Sequence, residues 1–308
     1  MIANKRYKVL FLVVGTPKWQ EAAILPTKLP EIELLADVTT HFLPSITASA
    51  KQIEQWRAVN HYLADKYDEF DGFVIMQEPD SLIYGAVASA TAWLKNRKPI
   101  IYTTAPWQDG DFVFDDNLFS LGWRANIINA LQMVAKQVPL VMILYGQKVM
   151  EATLARKVNL SQLNAFVSRN NKYIAHLDWG LELSNNIPII AQGKKIANQW
   201  SNEFLVIYLH PGFNWNNFSH AWKKARAVII KSNRQTGLTE TDRKQLAKYF
   251  NDKPVIIYNR LGFMIENSLP TNFVLVDNMT WEETIVRTSW ALAQTDNISK
   301  FIKLLTRS

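Results

Sequence analysis

What most constrains this chain is an alternation: strand-length apolar runs give way repeatedly to longer stretches whose apolar residues recur at helical spacing. Tyr7–Val14 is β-branched and apolar, Lys51–Tyr67 carries Ile53, Trp56, Val59 and Leu63 on one helical face, and Gly72–Met76 is again strand-like. The pattern continues with Ser81–Lys95 as helix, Pro99–Thr103 as strand, Asn117–Lys136 as a long helix and Val138–Tyr145 as strand. Strands joined by helical crossovers pair in parallel and are covered on both faces. The expected fold is therefore α/β, a mainly parallel sheet flanked by helices.

Between about Asn185 and Asn202 the alternation decays into Asn, Pro, Gly, Gln and Lys, with Ile187, Ile189 and Ile190 around Pro188 as the main apolar cluster. Beyond it Phe204–Tyr208, Ala227–Ile230 and Val255–Tyr258 read as three short parallel strands. They are separated by helical stretches at Asn214–Lys224 and Thr239–Phe250, and Thr280–Gln294 with Asn297–Leu305 closes the chain helically. The expected organisation is an N-terminal α/β domain over residues 1–190, a linker over 191–202 and a smaller C-terminal α/β domain over 203–308. A length of 308 residues with 48% hydrophobic content suits two packed cores.

Several function classes are disfavoured by what the chain carries. The net charge of +7 divides into 20 basic against 18 acidic residues over 1–202 and 14 against 9 over 203–308. That mild excess, with Lys223-Lys224-Ala225-Arg226 and Arg243-Lys244 on amphipathic patterns, reads as solvated helix faces rather than a nucleic-acid footprint. Zero cysteines exclude disulfides, thiolate metal sites and a cysteine nucleophile. His41, His61, His176, His210 and His220 show no metal-ligand spacing, and Asp109, Asp111, Asp115 and Asp116 read as loop or helix-capping residues, so no metal is expected. Gly15-Thr16-Pro17 is too short for a phosphate loop, and neither the dinucleotide fingerprint nor the P-loop occurs, so no nucleotide cofactor is expected. With no apolar stretch approaching about 20 residues and no leader pattern, a cytoplasmic protein without a membrane partner is expected.

A shared order of short motifs adds a more specific expectation. Asp71-Gly72-Phe73-Val74-Ile75, a helix, Lys98-Pro99-Ile100-Ile101-Tyr102-Thr103, an Asp-rich loop and Asn117-Leu118 follow one another. Then come Tyr145-Gly146-Gln147-Lys148-Val149-Met150, Ala155-Arg156-Lys157-Val158-Asn159, Leu163-Asn164-Ala165-Phe166, and finally Tyr208-Leu209-His210-Pro211-Gly212. In that order and spacing the chain resembles the bacterial L-asparaginase/glutaminase family from about Tyr7 to its C-terminal helix. The resemblance implies an asparaginase-type fold and an active site at the carboxyl ends of the N-domain strands, completed by a neighbouring subunit in a homodimer or homotetramer. It implies no cofactor, and as family reaction the hydrolysis of the L-asparagine side-chain amide to L-aspartate and ammonia.

Matched position by position, the resemblance places the family's threonine nucleophile, within a Thr-Gly-Gly-Thr turn, at Val13 of Val13-Val14-Gly15-Thr16. Valine copies the shape of threonine but offers no nucleophilic atom, and losing a nucleophile costs on the order of 10⁴ to 10⁶ in turnover. The second motif, Gly-Thr-Asp-Thr, falls on Glu78-Pro79-Asp80-Ser81, where Pro79 removes both the hydroxyl and a backbone N–H. Asp80 stands at the position that holds the substrate's α-amine, and Lys157 at the catalytic lysine. Asp80-Ser81 equally suits a helix N-terminus, while a solvated basic pair is the lesser reading of Arg156-Lys157. Gly15, Ser81 and Thr104 are further binding candidates, and the residue gripping a substrate carboxylate falls at Ala48 or Ser49. The family's glycine-rich lid is replaced by Pro17-Lys18-Trp19-Gln20-Glu21-Ala22-Ala23, which reads as a helix start or fixed loop. Trp19 or Trp107 would be the tryptophan to line the cleft.

Three readings follow. The first is an asparaginase-like pseudoenzyme that binds a small polar molecule, an amino acid or its amide, through Asp80 and Lys157. The second is a divergent amidohydrolase in which Thr16, Thr103 or Thr104 supplies the hydroxyl and Lys157 the base, which requires a hydroxyl within roughly 3 Å of that lysine or a relayed water. The third is a scaffold or regulatory subunit using the basic face around Lys223 and Lys224.

Overall fold

A computed structural model describes residues 6–46, 48–105, 107–108, 111–112, 122–158, 165–177, 180–185, 187, 193–218, 224–232, 238–259 and 269–307. The chain divides into two compact units, Met1–Asn198 and Gln199–Ser308.

The first unit is built on an eight-stranded sheet. Its strands are β1 (Tyr7–Gly15), β2 (Ala36–Pro44), β3 (Gly72–Gln77), β4 (Ile100–Thr103), β5 (Val141–Tyr145) and β6 (Lys148–Glu151). After a separate hairpin of β7 (Ala155–Lys157) and β8 (Phe166–Ser168) come β9 (Ala175–Leu177) and β10 (Leu181–Leu183). The order across the sheet is β10-β9-β6-β5-β4-β3-β1-β2, with β2 through β5 parallel and the last three strands antiparallel. The α/β reading is thus borne out. From β1 the chain goes first to β2 on one side and then to β3 on the other, so the strand order reverses between β1 and β3. Open α/β sheets bind ligands outside the carboxyl ends of their strands at such a switch point.

Among the described residues, three longer helices serve this unit, α1 (Gln52–Asp65), α2 (Pro79–Ala92) and α3 (Trp123–Ala135), beside the single α-helical turn Ile32–Leu35. Helix α1 buries Trp56, Val59 and Leu63 as the spacing predicts, with Ile53 only half-buried. Helix α2 differs from the expected Ser81–Lys95 at both ends. Pro79 opens it, because a proline's fixed φ and missing N–H suit the first helical position. It stops at Ala92 because Trp93 is drawn into tertiary contacts, stacking on Tyr67 at 4.8 Å and donating its indole N–H to Asn60 Oδ1 at 3.1 Å. Trp93–Lys95 then runs extended and pairs with Lys195–Ile196. Helix α3 begins at Trp123, and the expected start at Asn117 lies outside the described residues.

Two polar arrangements tie the layers together. Under α2, Ser89 Oγ donates to Asn60 Oδ1 at 2.8 Å and lies 2.7 Å from the Tyr102 hydroxyl, all three residues being buried. Burial pushes the Tyr102 phenol well up, so it stays neutral and keeps its hydrogen-bonding role. Elsewhere Arg124, at the start of α3, donates from Nε to Glu31 Oε1 at 3.0 Å.

The second unit is a four-stranded parallel sheet of β11 (Phe204–Leu209), β12 (Ala227–Ser232), β13 (Val255–Asn259) and β14 (Phe273–Val276), in that order. The fourth strand was not expected. Its four residues, Phe273-Val274-Leu275-Val276, are too short to carry a period, and only pairing with β13 defines them. Helices α4 (Glu240–Phe250), α5 (Trp281–Gln294) and α6 (Ile298–Leu305) begin one residue inside the expected stretches, because Thr239, Thr280 and Asn297 act as N-caps. Each accepts from the backbone N–H three residues on. Of the helix expected at Asn214–Lys224, Trp215–Phe218 is a 3₁₀ turn and Lys224 is helical, while residues 219–223 lie outside the described set.

The Glu31 carboxyl is held below its ordinary value, first by its own backbone N–H and next by the Arg124 hydrogen bond. A depressed folded-state pKa contributes stability that is whole above the unfolded value and lost as pH falls through the folded one. Urea unfolding of the protein and its Glu31→Gln variant should therefore differ most above about pH 5 and converge as pH falls below about 4.

Candidate functional site

The switch point lies at the ends of β1 and β3. Along β1 the pleat sets Val13 opposite Phe42 on β2 and Met76 on β3, and Met76 in turn opposite Thr103 on β4. Val13 is 0% exposed and belongs to one apolar cluster with Trp19, Met76, Ala105 and Trp123. The position assigned to a nucleophile thus carries an inert side chain packed in the core.

Gly15, the last residue of β1, is required by what folds onto it. A Cβ there would lie 2.4 Å from Trp19 Cβ and 2.5 Å from Trp19 Cγ. Only a glycine admits Trp19 so closely, and Trp19 is 1% exposed in consequence. The tryptophan expected to line a cleft is instead a core residue, while the Trp107 side chain lies outside the described residues. The chain leaves β1 through extended Thr16 into a 3₁₀ helix over Pro17–Lys28, opened by Pro17. Trp19 N–H donates to the Thr16 carbonyl at 2.8 Å, and Ser45 N–H to the Gly15 carbonyl at 2.7 Å.

At the end of β3, Glu78 is extended and Pro79 is buried as the first residue of α2. Ser81 N–H and Leu82 N–H donate to the Glu78 carbonyl at 3.1 and 3.0 Å, and Gln77 Nε2 donates to Ser81 Oγ at 2.9 Å. The Glu78 side chain reaches the end of β1, where its Oε1 accepts the Thr16 N–H at 2.8 Å. No sequence expectation was attached to Glu78. The available signal was a carboxylate where the resembled motif has glycine.

Two expected anchors do come together. Lys157 ends β7, whose register with β8 sets it opposite Phe166, and this hairpin packs on α2. Its Nζ lies 2.5 Å from Asp80 Oδ1, with the Asp80 side chain 90% exposed and that of Lys157 30%. So exposed a pair contributes only about 0.2–1 kcal/mol to stability.

The threonines do not join this pair. Thr103 is buried, and its hydroxyl has no partner among the described residues. Thr104 Oγ1 donates to the Ala105 carbonyl at 3.3 Å, while its own carbonyl accepts from Asn126 Nδ2 at 2.9 Å. Among the described residues, no hydrogen bond links Thr16, Thr103 or Thr104 to Lys157. Ala48 and Ser49 are exposed in a turn, and it is Ser45 that reaches the strand ends. No group of three or more His, Asp or Glu among the described residues could hold a metal ion, and no described helix is long and apolar enough to cross a membrane. Asp109, Asp115 and Asp116, and the side chain of Asp111, lie outside the described residues.

Comparison with known proteins agrees with this architecture. Residues 14–188 match a family model described as "Asparaginase, N-terminal". The chain is 22% identical over 292 residues to an L-asparaginase of Thermococcus kodakarensis, covering 89% of this chain and 85% of that one. The solved L-asparaginase I of Vibrio cholerae superposes with a TM-score of 0.80 at 20% identity, over 99% of this chain and 98% of the other. A probable cytoplasmic L-asparaginase of Campylobacter jejuni gives 0.81 at 18%, over 98% and 100%. At these identities the superpositions establish the fold alone.

The contrasting environments of Gly15 and Asp80 give a direct check by urea unfolding. Gly15→Ala should lose about 1–3 kcal/mol, since the backbone or Trp19 must shift. Asp80→Asn should change stability by less than about 1 kcal/mol.

Proposed function

This chain belongs to the asparaginase family, and from that premise we propose that it has kept the family fold and two polar anchors while losing amide hydrolysis. It binds a small polar molecule, an amino acid or its amide. The observation that carries this reading is Val13, an aliphatic side chain fully buried in the core at the position where the resemblance places the nucleophile. Covalent catalysis needs a hydroxyl, thiol, amine or carboxylate that a base can activate, and Val13 supplies none. Pro79 supports the reading a second time, having neither a hydroxyl nor an N–H to stabilise a developing oxyanion.

Binding is supported by the pair that remains. Asp80 offers an acceptor to a ligand's ammonium, and Lys157 a donor to its carboxylate or amide oxygen. Each would exchange a weak, exposed mutual contact for a ligand contact. On the same reading the protein is cytoplasmic and works as a homodimer or homotetramer, with a neighbouring subunit completing the site.

The purified protein should release no ammonia above background from L-asparagine or L-glutamine, while Val13→Thr combined with Pro79→Thr gains measurable release. Wild-type turnover exceeding that of the double variant would overturn the reading and direct attention to Thr16 and Lys157. Calorimetry with L-asparagine and L-aspartate should show binding that Asp80→Asn and Lys157→Met each weaken about tenfold or more.

A further inference from the structure

We infer that the exposed cations Lys95, Arg97, Lys194 and Lys195 form a docking surface for an acidic segment of a partner protein, a run of Asp or Glu side chains. The surface is separate from the candidate site. Asp80 stands in the first turn of α2 and Lys95 follows its last, so a helix of 14 residues, about 21 Å long at 1.5 Å per residue, lies between them.

The central feature is a like-charge pair that the fold imposes. Lys95 lies directly opposite Lys195 in the antiparallel pairing of Trp93–Lys95 with Lys195–Ile196. Side chains so placed share one face, with Cβ atoms about 4.5–5.5 Å apart, and like charges there are destabilising. The stem of Lys95 lies over Gly193, where an added Cβ would meet Lys95 Cδ at 3.3 Å, and whose φ of 137° side-chain-bearing residues rarely adopt. Among the described residues no carboxylate forms an ion pair with Lys95, Arg97 or Lys195. A bound carboxylate would relieve the repulsion that the ladder maintains.

These charges stand on a fixed base. Asn96, 1% exposed, accepts from the Tyr67 hydroxyl at 2.7 Å and from Lys98 N–H at 3.1 Å, and donates to the Lys98 carbonyl at 2.6 Å. Arg97 N–H donates to the same Tyr67 hydroxyl at 2.8 Å, and Lys98 Nζ reaches the carbonyls of Tyr67 and Phe70. A preorganised surface loses less freedom when a partner binds.

Carboxylate is the chemistry this surface already accepts. Lys194 Nζ donates to Asp68 Oδ2 at 2.7 Å. That hydrogen bond is the first cause holding the Asp68 carboxyl below its ordinary value, and the charges of Lys194, Lys98 and Arg97 act in the same direction. Phosphate chains fit less well. One arginine beside three lysines supplies a single planar fork, and the rings of Tyr67 and Trp93 are buried, which leaves bases no face to stack on. The inference does not rest on the chain having lost amide hydrolysis.

The test is fluorescence anisotropy of a labelled glutamate-rich peptide with the full-length protein, its glutamine counterpart serving as control. The glutamate peptide should bind at low salt, and rising salt should weaken it. Lys95→Gln combined with Arg97→Gln and Lys195→Gln should weaken binding about tenfold or more, whereas Lys244→Gln with Lys300→Gln and Lys303→Gln, the same loss of charge elsewhere, should change it less than about twofold. Asp68→Asn releases Lys194 and should tighten binding about two- to fivefold. Lys195→Glu should weaken the peptide about tenfold or more while raising the urea midpoint, because its pairing with Lys95 becomes attractive; misfolding cannot produce both, so this variant decides if the triple one fails to fold. No binding by the wild type at low salt, equal loss in the two triple variants, or displacement of the peptide by tripolyphosphate or a single-stranded oligonucleotide at lower charge concentration would overturn the inference.

Discussion

The close approach of Trp19 to Gly15 sets the character of everything at the carboxyl ends of the sheet. Strand β1 is paired on both sides over Val9–Val14, and its last residue has no side chain, so the chain can turn back and place an indole directly on its end. Indole burial is among the larger apolar contributions a single residue makes. Trp19 and Val13 belong to the same apolar cluster, so the turn after β1 contributes its indole to the core.

That packing and the chemistry of the site are two aspects of one substitution pattern. Valine preserves the outline of threonine, so the strand and its register with Met76 and Phe42 need not change when the hydroxyl goes. Proline at position 79 is similarly conservative toward the fold, since the first position of a helix does not use its N–H. Neither Val13 nor Pro79 carries a hydroxyl or other nucleophilic atom, which packing does not need. Asp80 and Lys157 show the opposite balance: their exposed pairing does little for the fold, while both keep charged groups.

Much of the fold was legible because periodicity is a local property. The runs at Tyr7–Val14 and Gly72–Met76, and the helix that buries Trp56, Val59 and Leu63, announce themselves within a dozen residues. The errors occurred where tertiary contacts overrule the local signal. Trp93 leaves the end of α2 to stack on Tyr67, and Phe273–Val276 becomes a strand only by pairing with β13. The motif order singled out Val13, Pro79, Asp80 and Lys157 as candidates, yet gave no hint that Glu78 would bond to Thr16 or that Ser45 would reach the end of β1.

The sequence by itself determined the α/β class, the family and the residue types available for chemistry, because these follow from periodicity, motif order and the presence or absence of reactive atoms. Only the tertiary structure decided that Val13 is buried, that Asp80 and Lys157 meet 2.5 Å apart although 77 residues separate them, and that a glutamate closes the turn after the first strand. The physical reason is range. Side-chain identity is written at each position, whereas burial and pairing depend on which distant segments the sheet brings side by side.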